Sequence, residues 1–369
     1  RKRKDTMRSK KGFYALLLTG VLLVSANTSV FANVPTVGTG TENKNATVVV
    51  KKNFEFAEGI STPQATFQFE ATAVTLGAPN ATIISYQKDE ERGNVAGGKY
   101  TISKESEITF GEFQNAGMYE YNVKETAGGV TDVTYSSTEY KLRVYVANKA
   151  DGSTYIKTIT AEDHQTKKGE VLFTNTYVKN GGSENPGGDS KALKIEKQTT
   201  GDLANKKKKF KFKLTLNKAA TTTENEATGK IGDQDVKFTY GNATEFELAD
   251  KEALIFEKLP AGTRYVVTEL GAEDGYIPSV TVTENGVESP KKSGTDDADL
   301  SSAQNGQTNL VGENENKVIF VNEFDDNNVP ITGIIENNMP FILLIGAGIS
   351  AFGILAVAKK RKKVKSSEY

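Results

Sequence analysis

Between residues 44 and 325, apolar and polar side chains alternate with a period of two. Thr47–Phe56, Ala65–Ala73, Met118–Glu125, Tyr140–Val146 and Glu170–Tyr177 each set Val, Phe or Tyr on one face and Lys, Glu, Asn or Thr on the other. A second series follows in Ala192–Lys197, Lys209–Leu216, Val236–Tyr240, Ile255–Lys258, Tyr265–Glu269, Ser279–Thr283 and Lys317–Phe324. Alternation of this kind gives a strand one buried and one wet face, and turn clusters such as Gly97-Gly98 and Gly128-Gly129 separate the segments. No stretch in this region keeps the helical period. The pattern predicts an all-β chain of two tandem immunoglobulin-like β-sandwich domains, about 44–178 and 191–325, joined by a short linker over the Gly/Asn/Ser/Pro-rich Asn180–Ser190. Asn217–Gly232 reads as an exposed loop, and Lys206–Lys209 as a solvated turn.

The two ends follow different rules. A basic stretch (Arg8, Lys10, Lys11) precedes the apolar run Phe13–Val24, and Val30 and Ala32 supply small residues for cleavage after Ala32. Residues 1–32 therefore read as a cleaved signal peptide. At the other end, 18 apolar residues, Phe341–Ala358, are followed by Lys359–Lys363. That run is just long enough for a transmembrane helix whose basic tail stays cytoplasmic.

Charge sharpens the division. Residues 1–32 hold seven Lys/Arg against one Asp, and residues 333–369 hold six Lys/Arg against two Glu, so residues 33–332 carry a net charge of −11. An acidic body argues against nucleic acid as a partner. The chain has no Cys and one His, His164. This excludes disulfides and thiolate chemistry and leaves little for a metal centre or a hydrolytic triad. His164 reads as an exposed strand-end residue. The acidic pairs Asp296-Asp297 and Asp325-Asp326 lack the spacing of a calcium loop and read as solvated turns. No cofactor and no metal are expected.

The two halves repeat. Lys52 and Lys197 lie on the first strand of each domain, Glu125 and Glu269 near the end of a middle strand, and Asn175 and Asn322 on the last strand. The Lys-to-Glu separations are 73 and 72 residues, and the Glu-to-Asn separations 50 and 53. By strand parity all six point with apolar neighbours: Lys52 with Val48, Val50, Phe54 and Phe56; Lys197 with Leu193 and Ile195; Glu125 with Tyr121 and Val123; Glu269 with Tyr265 and Val267; Asn175 with Val171 and Phe173; Asn322 with Val318 and Phe320. The neighbouring Lys51, Lys194 and Glu196 point away. A buried Lys, Glu and Asn make either a costly polar network or a reaction centre. In the second reading burial keeps the Lys amine neutral and the Glu acid protonated. The amine attacks Asn Cγ, Glu125 or Glu269 shuttles the proton, and ammonia leaves an isopeptide cross-link from Lys52 to Asn175 and from Lys197 to Asn322.

The segments carrying these residues, Val50–Phe54, Tyr121–Glu125 and Leu172–Thr176 with Leu193–Gly201, Tyr265–Tyr276 and Ile319–Asn322, resemble the isopeptide-bonded domains of streptococcal backbone (T-antigen-type) pilins. Tyr265–Tyr276 also resembles the pilin E-box (YxLxExxAPxGY), with Glu273 where Pro is usual. Val329-Pro330-Ile331-Thr332-Gly333 resembles the LPxTG sorting signal, with Val329 in place of Leu, so 329–369 is a sortase sorting signal. The resemblance implies a structural pilus backbone subunit, secreted, held to peptidoglycan in the cell wall and polymerised head to tail with copies of itself. A pilus-specific sortase joins Thr332 to a lysine of the next subunit. Matching backwards from Asn175 places that lysine at Lys168, with Lys167 as the alternative. Accessory pilins are further partners, and host-cell receptors an open class. The chain is not expected to be an enzyme beyond single-turnover self-crosslinking. The rival reading is an accessory wall-anchored adhesin, without the Cys that a thioester requires.

Overall fold

In the computed structural model, the described residues are 35–83, 86–87, 92–126, 128–185 and 191–325. The stretches read as a signal peptide and a sorting signal, including Val329–Gly333 and Phe341–Ala358, lie outside them. Among the described residues every regular element is a strand, and no helix is long and apolar enough to cross a membrane.

The strands form four sheets that face each other in pairs. In the first pair, one sheet runs Gly38–Thr39, Thr154–Asp163, Glu139–Asn148, Gly117–Thr126, Thr66–Ala73 and Tyr86–Gln87, with Thr166–Lys168 added to Thr154–Asp163. The other runs Ala81–Ile83, Lys99–Phe110, Val48–Ala57, Val171–Tyr177 and Val133–Thr134. In the second pair, Leu193–Thr200 sits between Ala253–Phe256 and Lys317–Phe324, and faces a sheet containing Ala243–Leu248, Phe210–Asn217 and Arg264–Leu270. Each pair closes over its own core. Phe54, Phe67, Val123 and Phe173 are fully buried in one, and Phe212, Phe256, Val267 and Phe320 in the other. Each such side chain contributes roughly 1.5–3 kcal/mol by leaving water.

Most predicted strands lie within two residues of their observed bounds. The long strand Lys99–Phe110 escaped the sequence reading because Lys104 and Ser106 interrupt its inward face between Ile102 and Ile108. Gly38–Thr39 pairs with Thr154–Asp163, ahead of the boundary set at residue 44.

Three expectations are corrected. Asn217–Gly232 is not a free loop: Glu226–Ile231 is a strand paired on both sides, and Ala219 and Thr222 are buried. Lys208 is not in a loosely solvated turn. Its Nζ donates to Ala272 O at 3.0 Å and Asp274 Oδ2 at 2.6 Å and sits 4.9 Å from the Tyr276 ring centroid. Nor does Asn180–Ser190 begin as a slack linker. The N–H groups of Gly181, Gly182 and Glu184 donate to Leu259, Gly312 and Glu313 carbonyls, so the described part of the segment is docked on the second domain.

The junction is packed. Glu313, 5% exposed, accepts hydrogen bonds from Ser61 N and Oγ in the first domain and from Lys179 Nζ in the connection. Arg264 pairs with Glu58 at 2.6 Å. Gly262 has φ +92, and a Cβ there would stand 2.5 Å from Ala57 Cβ. Only glycine meets both demands.

Candidate functional site: two buried Lys–Glu–Asn triads

The first and last long strands of each sandwich are parallel neighbours. Val48–Ala57 pairs with Val171–Tyr177 with Lys52 opposite Phe173, and Leu193–Thr200 pairs with Lys317–Phe324 with Lys197 opposite Phe320. In both domains the asparagine stands two residues beyond that partner, at Asn175 and Asn322. Residues two apart share a face, so each Lys and Asn project together from one sheet. Each Glu comes from the opposing sheet, where Glu125 stands opposite Phe69 and Glu269 opposite Phe212.

The side chains meet in the core. Lys52 Nζ lies 2.9 Å from Glu125 Oε1, which also accepts from Asn175 Nδ2 at 2.8 Å. Lys197 Nζ lies 3.0 Å from Glu269 Oε1, which accepts from Asn322 Nδ2 at 2.6 Å. Asn175, Lys197 and Asn322 are fully buried, and the Lys52 and Glu269 residues are 1% exposed. The Glu125 side chain is fully buried, although its backbone is partly exposed.

Burial sets the proton balance. Loss of water lowers Lys52 and Lys197 from the usual lysine value to about 8, against the opposing pull of Glu125 and Glu269. Loss of water also raises Glu269, again against the pull of Lys197. Both shifts favour a neutral amine beside a neutral acid. One oxygen of each carboxyl, Glu125 Oε2 and Glu269 Oε2, has no hydrogen-bond partner; at Glu269 a protonated acid tolerates this better than a carboxylate.

Two contributors escaped the sequence reading. Phe67 and Phe210 place their rings 4.3 Å and 4.2 Å from Lys52 Nζ and Lys197 Nζ. Each stands two residues before the partner of the glutamate, so register predicts it once the sheets are known. The other is a main-chain group: Ser136 N donates to Asn175 Oδ1 at 2.8 Å. It polarises the carbonyl that an amine would attack, as an oxyanion-hole donor does. Asn322 Oδ1 has no such partner. A backbone N–H carries no residue-type signal, so sequence could not show it.

Comparison with known proteins follows this geometry. Residues 48–178 match the Spy0128-like isopeptide containing domain. Residues 191–323 match a domain of unknown function, DUF7601. A pilin of Streptococcus pyogenes serotype M1 is 28% identical, across 94% of this chain and 98% of its own length. The first sandwich thus carries an isopeptide-containing domain, and the chain is similar to a streptococcal pilin along nearly its whole length. The chain also shares 42% identity over 82 residues with the pilus tip adhesin Cpa of Streptococcus pyogenes, 12% of that protein's length. Among solved structures, the major pilin T3.2 of the same species is 25% identical over 76% of this chain and 98% of its own, with a TM-score of 0.35. Another Streptococcus pyogenes major pilin is 20% identical over 76% and 99%, also at 0.35.

Glu273 adopts φ +50, followed by Asp274 at +57 and Gly275 at +81. Proline fixes φ near −65°, so the loop cannot hold the proline usual in the E-box. No group of three or more His, Asp or Glu is placed to hold a metal among the described residues. His164 and Gln165, with φ +47 and +66, form the turn after Thr154–Asp163, and His164 projects into solvent there. Lys168, on Thr166–Lys168, is 3.5 Å from Asp163 Oδ2. Lys167 is exposed opposite Glu162.

A variant that keeps the lysine but cannot react isolates the cost of burial. In Asn322→Ala, Lys197 has a folded value of about 8 against about 10.4 unfolded. The unfolded chain then binds more protons between these values, so stability rises with pH across this window and its deficit is fully present below pH 8. The gain is on the order of 3 kcal/mol. It is read as the denaturation midpoint against pH, relative to the Asn322→Ala/Lys197→Met double variant, which should show no such rise.

Proposed function

We infer that the chain is the structural backbone subunit of a cell-surface pilus, braced by two self-formed Lys–Asn amide bonds. The repeated triad carries this reading: a Lys and an Asn at one fixed register on parallel strands, with a Glu reaching both from the opposing sheet. In the proposed step a neutral Lys Nζ attacks Asn Cγ. The Nζ–Cγ bond forms, the Cγ–Nδ2 bond breaks, and a Lys proton passes through the Glu carboxyl to Nδ2, which leaves as ammonia. No external reagent is consumed, and each centre turns over once. That is self-modification rather than enzymatic activity on a substrate.

Topology supports head-to-tail linkage. Val171–Tyr177 runs toward the junction, where Asn180 bridges Pro260, so Lys168 lies at the far end of the first domain. Lys317–Phe324 begins near Glu313 at the junction and runs away from it, so Asp325 lies at the far end of the second. Thr332 follows seven residues later. In the proposed assembly a pilus-specific sortase cleaves after Thr332, within Val329–Gly333, and joins it to Lys168 of the next copy. The last subunit is passed to peptidoglycan, and accessory pilins cap or join the fibre.

The test is a gel of cell-wall extracts from cells producing the full chain. The wild type is expected to give a ladder of denaturant-resistant multimers. Thr332→Ala and Lys168→Ala are each expected to collapse it to monomer. An accessory adhesin would instead add one increment to a ladder made by another subunit.

A further inference from the structure

Lys167 and Lys168 are adjacent in sequence, yet the fold treats them differently. The strand Thr166–Lys168 pairs antiparallel with Thr154–Asp163, with Lys168 opposite Ala161, Lys167 opposite Glu162 and Thr166 opposite Asp163. Alternation therefore puts Lys168 on the same face as Ala161 and Asp163, and Ala161 is fully buried. Lys167 takes the outer face, exposed, beside Glu162, a residue already engaged by Arg143.

Asp163 is held on both sides. Its Oδ1 lies 2.6 Å from Nδ1 of His164, the chain's one histidine, and its Oδ2 lies 3.5 Å from Lys168 Nζ. The carboxylate thus spans the turn and faces the amine, and the hydrogen bond with His164 holds Asp163 below the usual carboxylate range. Four residues after Lys168 the chain is tied down again at Leu172. Tyr140 OH donates to Leu172 O at 2.8 Å and accepts from Leu172 N at 3.2 Å, and its ring packs edge-on to Phe173 at 5.3 Å. Lys168 is thereby carried on a short paired hairpin rather than on an unpaired loop.

We propose that Asp163, oriented by His164, is the positioning residue that presents Lys168 rather than Lys167 as the acceptor amine for subunit linkage. This rests on the proposed polymerisation. In that step the Lys168 amine attacks the acyl carbon of Thr332 held as a thioester on the sortase. The amide N–C bond forms, the C–S bond breaks, and the proton leaving the nitrogen ends on the thiolate. Asp163 touches neither the acyl group nor the enzyme. It restricts the long lysine side chain to one direction and so reduces the rotamer freedom lost on docking.

The experiment uses the full chain, produced in the bacterium that makes it after deletion of the chromosomal copy. Wall-extracted multimers are digested and the branched peptide containing Thr332 is identified by mass spectrometry. The wild type is expected to carry the branch on Lys168. Asp163→Asn is expected to lower ladder yield by up to about fivefold, the most an exposed ion pair supplies, and to move part of the branching to Lys167. Asp163→Glu should restore both yield and site. A folding defect is separated by the intact mass of the monomer, because ammonia loss in the first domain reports that its sandwich has closed. If Asp163→Asn keeps wild-type yield and branches only at Lys168, the role of Asp163 is overturned while linkage at Lys168 stands. If wild-type branches fall on Lys167 or elsewhere, the acceptor assignment fails together with it.

Discussion

A recombinant chain spanning residues 33–325 is expected to weigh two ammonia molecules less than its sequence under denaturing conditions, with Glu125→Ala and Glu269→Ala each recovering one. The expectation follows from what the triads bring together. Lys52 and Asn175 both touch one oxygen of Glu125, and Lys197 and Asn322 both touch one oxygen of Glu269. Without the glutamate the buried amine has no acceptor for its proton and the departing nitrogen no donor, so an effect of 10²-fold or more on rate is expected from general acid–base catalysis alone. The double variant should show the full sequence mass. The first domain also has the Ser136 N–H on its asparagine carbonyl. Its ammonia should therefore be lost before that of the second domain when samples are taken early after synthesis. A parent of full sequence mass would reduce both triads to buried ion-pair networks and remove the bracing from the functional reading.

The second large effect is thermal. The Lys197–Asn322 bond would enclose almost all of the second domain. The chain-entropy relation for a loop of this length gives about 5 kcal/mol, lost from the unfolded state. For a domain of this size that corresponds to roughly 15–20 °C in Tm. Asn322→Ala is therefore expected to split calorimetric unfolding into an early transition for the second domain and a late one for the still-braced first domain. Asn175→Ala should reverse the order. If both single variants melt with the parent, the bonds are absent or contribute nothing to stability.

Much of this site was legible because the β-period fixes which side chains enter the core. Parity alone sent all six triad residues inward, and their repeat at matching separations marked them as one device used twice. Alternation does not show which strands lie side by side. The parallel pairing of first and last strands, and the diagonal register that brings each Asn to its Lys, depend on closure of the sandwich. Phe67 and Phe210 looked like ordinary core aromatics for the same reason. The docked start of the linker was missed because a Gly/Asn/Ser/Pro cluster reads as a loop, and the buried Thr222 and anchored Lys208 because threonine and lysine are usually exposed. Each is held here by main-chain hydrogen bonds or aromatic faces that composition does not encode.

The position of Lys168, just ahead of Val171–Tyr177, decides how a pull would travel through the proposed fibre. Tension entering at Lys168 runs down that one strand to the junction and on into Leu193–Thr200. It crosses the Lys197–Asn322 bond and leaves at Asp325, bypassing residues 198–321. In the second domain the proposed cross-link would thus be in series with the force, and a fibre lacking it would lengthen by the whole bypassed stretch. In the first domain nearly everything before Lys168 hangs beside the line of pull. There the proposed Lys52–Asn175 bond would act as a strut, keeping the loaded strand seated in its sheet while the rest of the domain bears no tension.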